Sequence, residues 1–288
     1  MQSLRPDSAV ILERSRAVFL ALWEELLRLR RSVLKTSDLE SIHDLRVASR
    51  RFRAALELFY PFLLKGGRAD LRTEVKKLTQ ALGALRNIDE AELFFTSHAP
   101  AIMPADSTFC TSLTELRTKE LQRVTKRLKI FDHRRLDRLV LKMVSGLNED
   151  HVAARNSSSI QVYFSDSAAG KQQSVQHLLA DATEPGHRAS RHSLRIAIKK
   201  WRYFLEIVAP ILDREVTPPL ELLKEYQSQL GLMNDVAEFE ALLKKLKLPR
   251  STRHVASEVL QAEDARLLES FTQLTRRKPL AVSTPDTL

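Results

Sequence analysis

Apolar residues recur along most of this chain at spacings of three and four, the period of an α-helix with one buried face. Only 7 glycines and 11 prolines interrupt the pattern, too few for the frequent tight turns of a β-sandwich or barrel. The periodicity predicts helices near residues 8–35, 41–64, 69–86, 88–97, 107–129, 133–147, 172–182, 188–213, 218–246 and 250–276. The chain is therefore predicted to be all-α.

One stretch of the chain occurs twice. Residues 43–63, HDLRVASRRFRAALELFYPFL, align without a gap with residues 192–212, HSLRIAIKKWRYFLEIVAPIL. In a weaker match just downstream, KKLTQALGALRN at 76–87 corresponds to KEYQSQLGLMND at 224–235. The chain is therefore predicted to contain two related halves.

The boundaries of these halves follow from local composition. Residues 148–171 contain the runs NSSS and SDSAAG and are predicted to be a mobile connector. The first half then spans 1–147 and the second 172–278, and residues 279–288 are predicted to be a loose tail.

The positive charge of the protein is concentrated in the repeat. Residues 43–53 carry four arginines against one aspartate, and residues 192–202 carry two arginines and two lysines with no acid. These 22 residues hold +7 of the net charge of +10. The basicity is thus a local feature, which points to an anionic partner.

On a helix of about 100° per residue, four basic residues of each repeat share a face about 80° wide, opposite an apolar face. We call the two cationic faces the first ladder (His43, Arg46, Arg50, Arg53) and the second ladder (His192, Arg195, Lys199, Arg202). The predicted buried faces are Leu45, Ala48, Phe52, Ala55, Leu56 and Phe59 in the first repeat, and Leu194, Ala197, Trp201, Phe204, Leu205 and Val208 in the second.

Like charges along a ladder repel one another by about 0.2–0.5 kcal/mol per adjacent pair, so the ladders need a compensating anion. Each ladder runs about 15 Å, a length that suits an extended polyanion. We expect both ladders to face one shared wet cleft. Glu57 and Glu206 return to the cationic faces four residues after Arg53 and Arg202, where they are expected to hold those guanidinium groups.

The doubled motif, HDLRVASRRFRAAL and then HSLRIAIKKWRYFLE, resembles the paired signature of CHAD domains, the conserved histidine α-helical domains. The Leu-Gly segments at 82–89 and 230–236 resemble the second motif of that family, and Lys278-Pro279 resembles its closing element. One departure is Asn87, which stands where the family commonly has aspartate.

The resemblance implies two pseudo-symmetric helical bundles around a basic central channel that binds inorganic polyphosphate. The implied binding residues are the two ladders, Arg51 and Lys200 about 100° off them, and the lysine before each Leu-Gly pair: His43, Arg46, Arg50, Arg51, Arg53, Lys76, His192, Arg195, Lys199, Lys200, Arg202 and Lys224. Whether the histidines bind the ligand or are structural stays open at this point.

Two other functions compete with polyphosphate binding. The charge alone would allow a nucleic-acid binder, but the ladders carry no aromatic ring for base stacking, and Phe52 and Trp201 lie on the apolar faces. A polyphosphate-cleaving enzyme would need carboxylates for divalent metal or an activated nucleophile, and neither is evident. We therefore expect a non-catalytic protein without cofactor or metal.

The remaining sequence features concern the cellular compartment of the protein. Cys110 is the only cysteine, and the longest N-terminal apolar run, 17–23, is too short to cross a bilayer. A cytoplasmic protein without membrane contact is expected, and the resemblance adds recruitment to polyphosphate granules. The oligomeric state does not follow from the sequence.

Overall fold

The computed structural model describes residues 7–150, 152 and 159–280, and this part of the chain is helical with no β-strand. A 3-10 helix covers Pro100–Ile102. The α-helices are α1 (Ser8–Thr36), α2 (Leu39–Phe59), α3 (Arg68–His98), α4 (Thr108–Ile130), α5 (His133–Val144), α6 (Ile160–Ala182), α7 (Arg188–Leu212), α8 (Thr217–Lys245) and α9 (Arg250–Arg277). The predicted all-α class is confirmed.

Local residues set the starts of α2 and α6 and the end of α7. The carboxylate of Asp38 caps α2 by accepting a hydrogen bond from the Ser41 backbone N–H at 2.7 Å. The hydroxyl of Ser159 caps α6 by accepting from the Val162 N–H at 3.4 Å. Helix α7 ends at Asp213, whose left-handed backbone, with φ of 55°, stops the helix.

The prediction of two helices at 69–86 and 88–97 was wrong, because α3 runs through Asn87 without a break. Leu85, Ile88 and Ala91 are all buried on one face of this helix. Their packing outweighs the weak helix propensity of a single asparagine. The polar positions of the second motif therefore sit on a rigid helix.

The predicted connector at 148–171 was wrong for residues 160–171, which form the first half of α6. The polar composition concealed a buried face in which Ile160, Phe164, Ala168 and Val175 contribute to the core. This face packs on α7, so the segment is part of the second half of the fold. Residues 151 and 153–158 of the predicted connector, and 281–288 of the predicted tail, lie outside the described residues.

The predicted apolar faces of the repeat are confirmed, because all twelve of their residues are buried. Phe52 is the centre of an aromatic cluster, with its ring 5.2 Å from that of Phe19 and 5.0 Å from that of Trp23. Trp23 also donates a hydrogen bond from Nε1 to Asp137 at 2.9 Å. Packing against these rings holds α2 with its cationic face turned away from the core.

The two halves follow the same packing order. In the first half α1 packs on α2, α2 on α3 and α3 on α4; in the second, α6 packs on α7, α7 on α8 and α8 on α9. Between the halves, α2 contacts α7 and α3 contacts α8, so each of these helices meets its repeat-related partner. This arrangement brings the two ladder helices together.

No helix within the described ranges is both long enough and apolar enough to cross a membrane.

Candidate functional site

Four ladder cations meet where α2 and α7 pack together. The positive charges of Arg46, Arg50 and Arg195 all act on the Lys199 amine, and Arg46 likewise feels Arg50 and Arg195. We call Arg46, Arg50, Arg195 and Lys199 the central cation cluster. It contains two residues from each ladder, so the tertiary fold joins the two cationic faces.

Burial makes the positive charge of this cluster costly. Burial first, and then the neighbouring cations, lower the pKa of Lys199 from 10.5 to about 6. The same two causes, in the same order, lower the pKa of Arg46 to about 10. Burial also lowers the pKa of Arg195. These side chains therefore differ from an ordinary solvated charged surface, where such perturbation is small.

Several guanidinium donors of the ladders lack an acceptor. The Nε–H groups of Arg46, Arg195 and Arg202 are buried and form no hydrogen bond with any described residue. Buried N–H groups are almost always paired in proteins, and an unpaired donor on a charged group is especially costly. The ladders therefore hold buried guanidinium N–H groups that no described protein acceptor satisfies.

A cavity of about 690 Å³ lies beside the central cation cluster and is bounded by both halves of the chain. Ladder residues from α2 and α7 form part of its wall, and helices α3, α4 and α8 complete it. The polar side chains of the lining are Arg46, Arg50, Arg53, Thr79, Gln80, Asn87, Glu120, Arg123, His192, Arg195, Asn234, Glu238 and Lys245. Cations thus outnumber acids in a cavity shared by both repeats.

Gly83 of the second motif lines this cavity in the middle of α3. A Cβ atom at this position would meet no protein atom within 4 Å, so neighbouring side chains do not require a glycine here. A glycine inside a helix costs roughly 0.5–1 kcal/mol relative to alanine. Its position leaves extra room at the floor of the cavity.

The two repeat-related histidines have different surroundings. His192 lines the cavity, and its Nδ1 donates a hydrogen bond to Asn234 Oδ1 at 3.0 Å, which leaves Nε2 free of that contact. His43 is exposed, and burial of part of its ring together with the charge of Arg86 lowers its pKa, against the opposing effect of Asp44. His192 is therefore positioned by a neutral amide, and His43 lies beside a cation.

Comparison with known proteins bears on this geometry. The family model described as "CHAD domain" matches residues 17–244. The chain belongs to the CHAD domain family.

Solved structures agree with this assignment. The crystal structure of the CHAD domain from the plant Ricinus communis aligns with a TM-score of 0.62 at 23% identity, over 97% of this chain and 92% of that one. PptA from Streptomyces chartreusis aligns with a TM-score of 0.67 at 16% identity, over 94% of this chain and 99% of that one. A comparison with curated proteins found no match. At these identities the structures show that the CHAD fold is shared.

A carboxylate in this CHAD domain joins cations of α2 and α7. Glu206 lies 3.3 Å from Arg202 one helical turn away, as predicted, and also 3.4 Å from Arg51 of the first half. The corresponding Glu57 acts on Lys171 of α6, which itself lies near Lys200. Arg51 and Lys200 are exposed and lie apart from the central cation cluster.

The fold does not bring every predicted residue to the cavity. Lys76 on α3 and Lys224 on α8 are exposed, and neither is among the described residues that line the cavity. Lys76 lies three residues before Thr79 and Lys224 ten residues before Asn234, the first residues of their helices that line the cavity. The two lysines correspond in the repeat, and each lies outside the cavity lining at the equivalent position of its half.

Sequence reasoning missed several charged residues of the site. Arg86 of α3 and Asp235 of α8 act on the central cation cluster, and Arg123 and Lys245 line the cavity. Arg86 and Asp235 lie within the second motif, but only the lysine before each Leu-Gly pair was predicted there as a binding residue. Lys171, whose amine lies 4.7 Å from the centre of the Phe204 ring, was hidden in the predicted connector. Across the described part of the chain, no group of three or more metal-ligating side chains was found.

Proposed function

We propose that this CHAD domain binds inorganic polyphosphate between its two ladders and does not cleave it. The observation that carries the proposal is the central cation cluster, in which half-buried cations from both halves meet beside a shared cavity. Membership of a family linked to polyphosphate supports the same class of ligand.

A chain of phosphates matches what the cluster lacks. Each phosphate supplies negative charge and acceptor oxygens, and hydrogen bonds between guanidinium groups and phosphate oxygens are charge-assisted and strong. The guanidinium groups of Arg46, Arg50 and Arg195, which line the cavity, provide such bonds from both ladders. Because the donors are distributed along two helices, a linear anion engages more of them than a single phosphate does.

The lining of the cavity favours this ligand over a nucleic acid. Phe, Tyr and Trp are missing from its described residues, and Phe52 and Trp201 are buried in the core, with 0% and 4% exposure. Single-stranded nucleic acids are normally held by stacking of bases on such rings. A backbone of bare phosphates needs no stacking surface.

The non-catalytic part of the proposal rests on the acids of the cavity. Glu120 pairs with Arg123 on its own helix, and Glu238 accepts a hydrogen bond from Asn87 Nδ2 at 3.0 Å. Both carboxylates are thus occupied by protein groups. Cleavage of a phosphate chain would need such acids to hold metal or to activate water.

The deciding experiment is a competition assay at physiological salt, with labelled long-chain polyphosphate against single-stranded RNA and heparin. We expect polyphosphate to displace the other two at far lower concentration, and its chain length to stay constant on a gel over the same incubation. Preference for RNA would replace the proposal with nucleic-acid binding, and shortening of the chain would reject the non-catalytic part.

The matched variants remove two charges each. Arg46→Ala with Arg195→Ala should weaken polyphosphate binding at least a hundredfold, since each buried charge-assisted contact contributes about tenfold or more. Arg72→Ala with Arg276→Ala removes two exposed cations and should change affinity less than threefold. Equal losses in the two double variants would contradict a site at the central cation cluster.

Association with polyphosphate granules in a cytoplasmic setting is a further expectation of this proposal, which imaging of the tagged protein would test.

A further inference from the structure

The two halves of the site differ in charge at two adjacent repeat-related positions, where Arg86-Asn87 of α3 correspond to Asn234-Asp235 of α8. Asn87 of α3 corresponds to Asp235 of α8 in the weaker match of the sequence, and these two helices pack on each other. Asn87 is neutral and lines the cavity, where it binds Glu238. Asp235 is an acid, so the second half carries a carboxylate where the first half has a neutral amide.

Asp235 lies among the cations of both ladders. Its negative charge acts on Arg46 of α2 and on Arg195 and Lys199 of α7, and on Arg86 of α3 as well. The carboxylate is half-buried and forms a hydrogen bond with the side chain of Asn234. Its charge therefore acts on cations of α2, α3 and α7 together.

The surrounding cations do not fully stabilise this anion. Burial raises the pKa of Asp235, against the opposing effects of Arg195, Asn234, Arg46 and Lys199. None of the ion pairs among the described residues includes this carboxylate. Asp235 therefore contributes negative potential to the site without being locked to one partner.

We propose that Asp235 is a built-in competitor of the phosphate chain, which lowers the affinity of the site by holding negative charge among the cations that the chain must contact. This inference rests on the proposed function and specifies which residue limits its strength. A phosphate chain that enters the cluster meets Arg46, Arg195 and Lys199 together with a carboxylate of its own sign. The repulsion acts only when the anion is bound.

Asp235→Asn keeps the shape of the side chain and removes the charge. We expect this variant to bind long-chain polyphosphate about tenfold more tightly, because one negative charge, partly screened by solvent, no longer repels the phosphate chain. The control is Glu221→Gln, which removes an exposed acid about 21 Å along the same helix, well beyond the screening length of about 8 Å. Its affinity should equal that of the unmodified protein.

The reciprocal change adds a carboxylate to the first half. Asn87→Asp is made together with Glu238→Gln, because Glu238 would otherwise face the new acid, and it is compared with Glu238→Gln alone. The added charge should weaken binding about tenfold. A cooperative thermal transition in each variant shows that the fold is intact, and a folding defect would not tighten binding.

The outcomes separate this inference from the function on which it rests. If the unmodified protein fails to bind polyphosphate, the proposed function is wrong and the inference falls with it. If it binds and Asp235→Asn binds equally or more weakly, Asp235 is not a competitor and the proposed function stands. If Glu221→Gln tightens binding as much as Asp235→Asn, net charge explains the effect and the inference is overturned.

Discussion

Lys199→Met should make the free protein more stable and at the same time weaken its binding of polyphosphate. Methionine retains an unbranched apolar chain of similar length and removes the amine, whose positive charge is disfavoured by burial and by Arg195, Arg50 and Arg46. In the free protein, the substitution removes the electrostatic cost of holding a buried positive charge at this position. A bound anion removes the same cost in the complex.

The pKa of Lys199 provides the magnitude. It falls from 10.5 to about 6 in the folded protein, and one pKa unit corresponds to about 1.4 kcal/mol, so the upper limit for the cost at pH 7 is about 5 kcal/mol. Solvent screens this half-buried side chain, which reduces the expected gain in the free energy of unfolding to about 1–3 kcal/mol.

The sign of the pH dependence follows from the same shift. Between pH 6 and 10.5 the unfolded lysine carries a proton that the folded lysine has lost, so this residue makes stability rise with pH. Methionine does not titrate. The advantage of the variant is therefore largest below pH 6 and shrinks as the pH rises toward 10.5.

Urea unfolding at pH 5.5, 7.0 and 8.5 measures both effects. Lys119→Met, at an exposed position on α4, is the control and should change stability by no more than about 0.5 kcal/mol at any of these pH values. A Lys199→Met variant less stable than the unmodified protein, or an advantage that does not vary with pH, would refute the electrostatic reasoning.

Three further results are expected. About eight cations are expected to contact phosphate, and each contributes about −0.7 to the slope of log affinity against log salt concentration. Affinity for polyphosphate should therefore fall roughly a thousandfold between 50 and 200 mM salt. A slope near zero would reject binding by the two ladders. Long-chain polyphosphate should raise the melting temperature far more than the same amount of phosphate given as orthophosphate, and equal shifts in a thermal scan would reject an extended site. Gly83→Ala should raise the free energy of unfolding by about 0.5–1 kcal/mol, because a Cβ there meets no protein atom, and a loss of stability in urea would show that the glycine is needed by the fold.

Much of this CHAD domain could be read from local patterns. The helical period and the repeat identify the all-α class, the ladder helices and their buried faces, because burial of one face is a property of each helix considered alone. The resemblance to the CHAD family comes from the same doubled motif. The helix at 160–171 was missed because Ser159, Gly170 and the polar residues between them look like a connector, although Phe164 and Ala168 are buried.

The residues that make up the site were harder to predict from the sequence. Lys76 and Lys224 correspond in sequence and lie outside the cavity lining, and Arg86 and Asp235, which act on the cluster, come from the same motif. Position in a motif gives the helix and the face of a residue. It does not give the distance between that face and another helix 149 residues away in the chain.

The sequence by itself determined that this protein has two matched rows of cations on helices with apolar backs, since charge spacing and helical period are local. Only the tertiary structure decided that Arg46, Arg50, Arg195 and Lys199 meet, that Glu206 bridges Arg202 and Arg51, and that the Asp235 carboxylate stands among the cations of both halves. The physical reason is that burial and Coulomb energy depend on distances between helices, and these distances are set by how the apolar faces pack in the core.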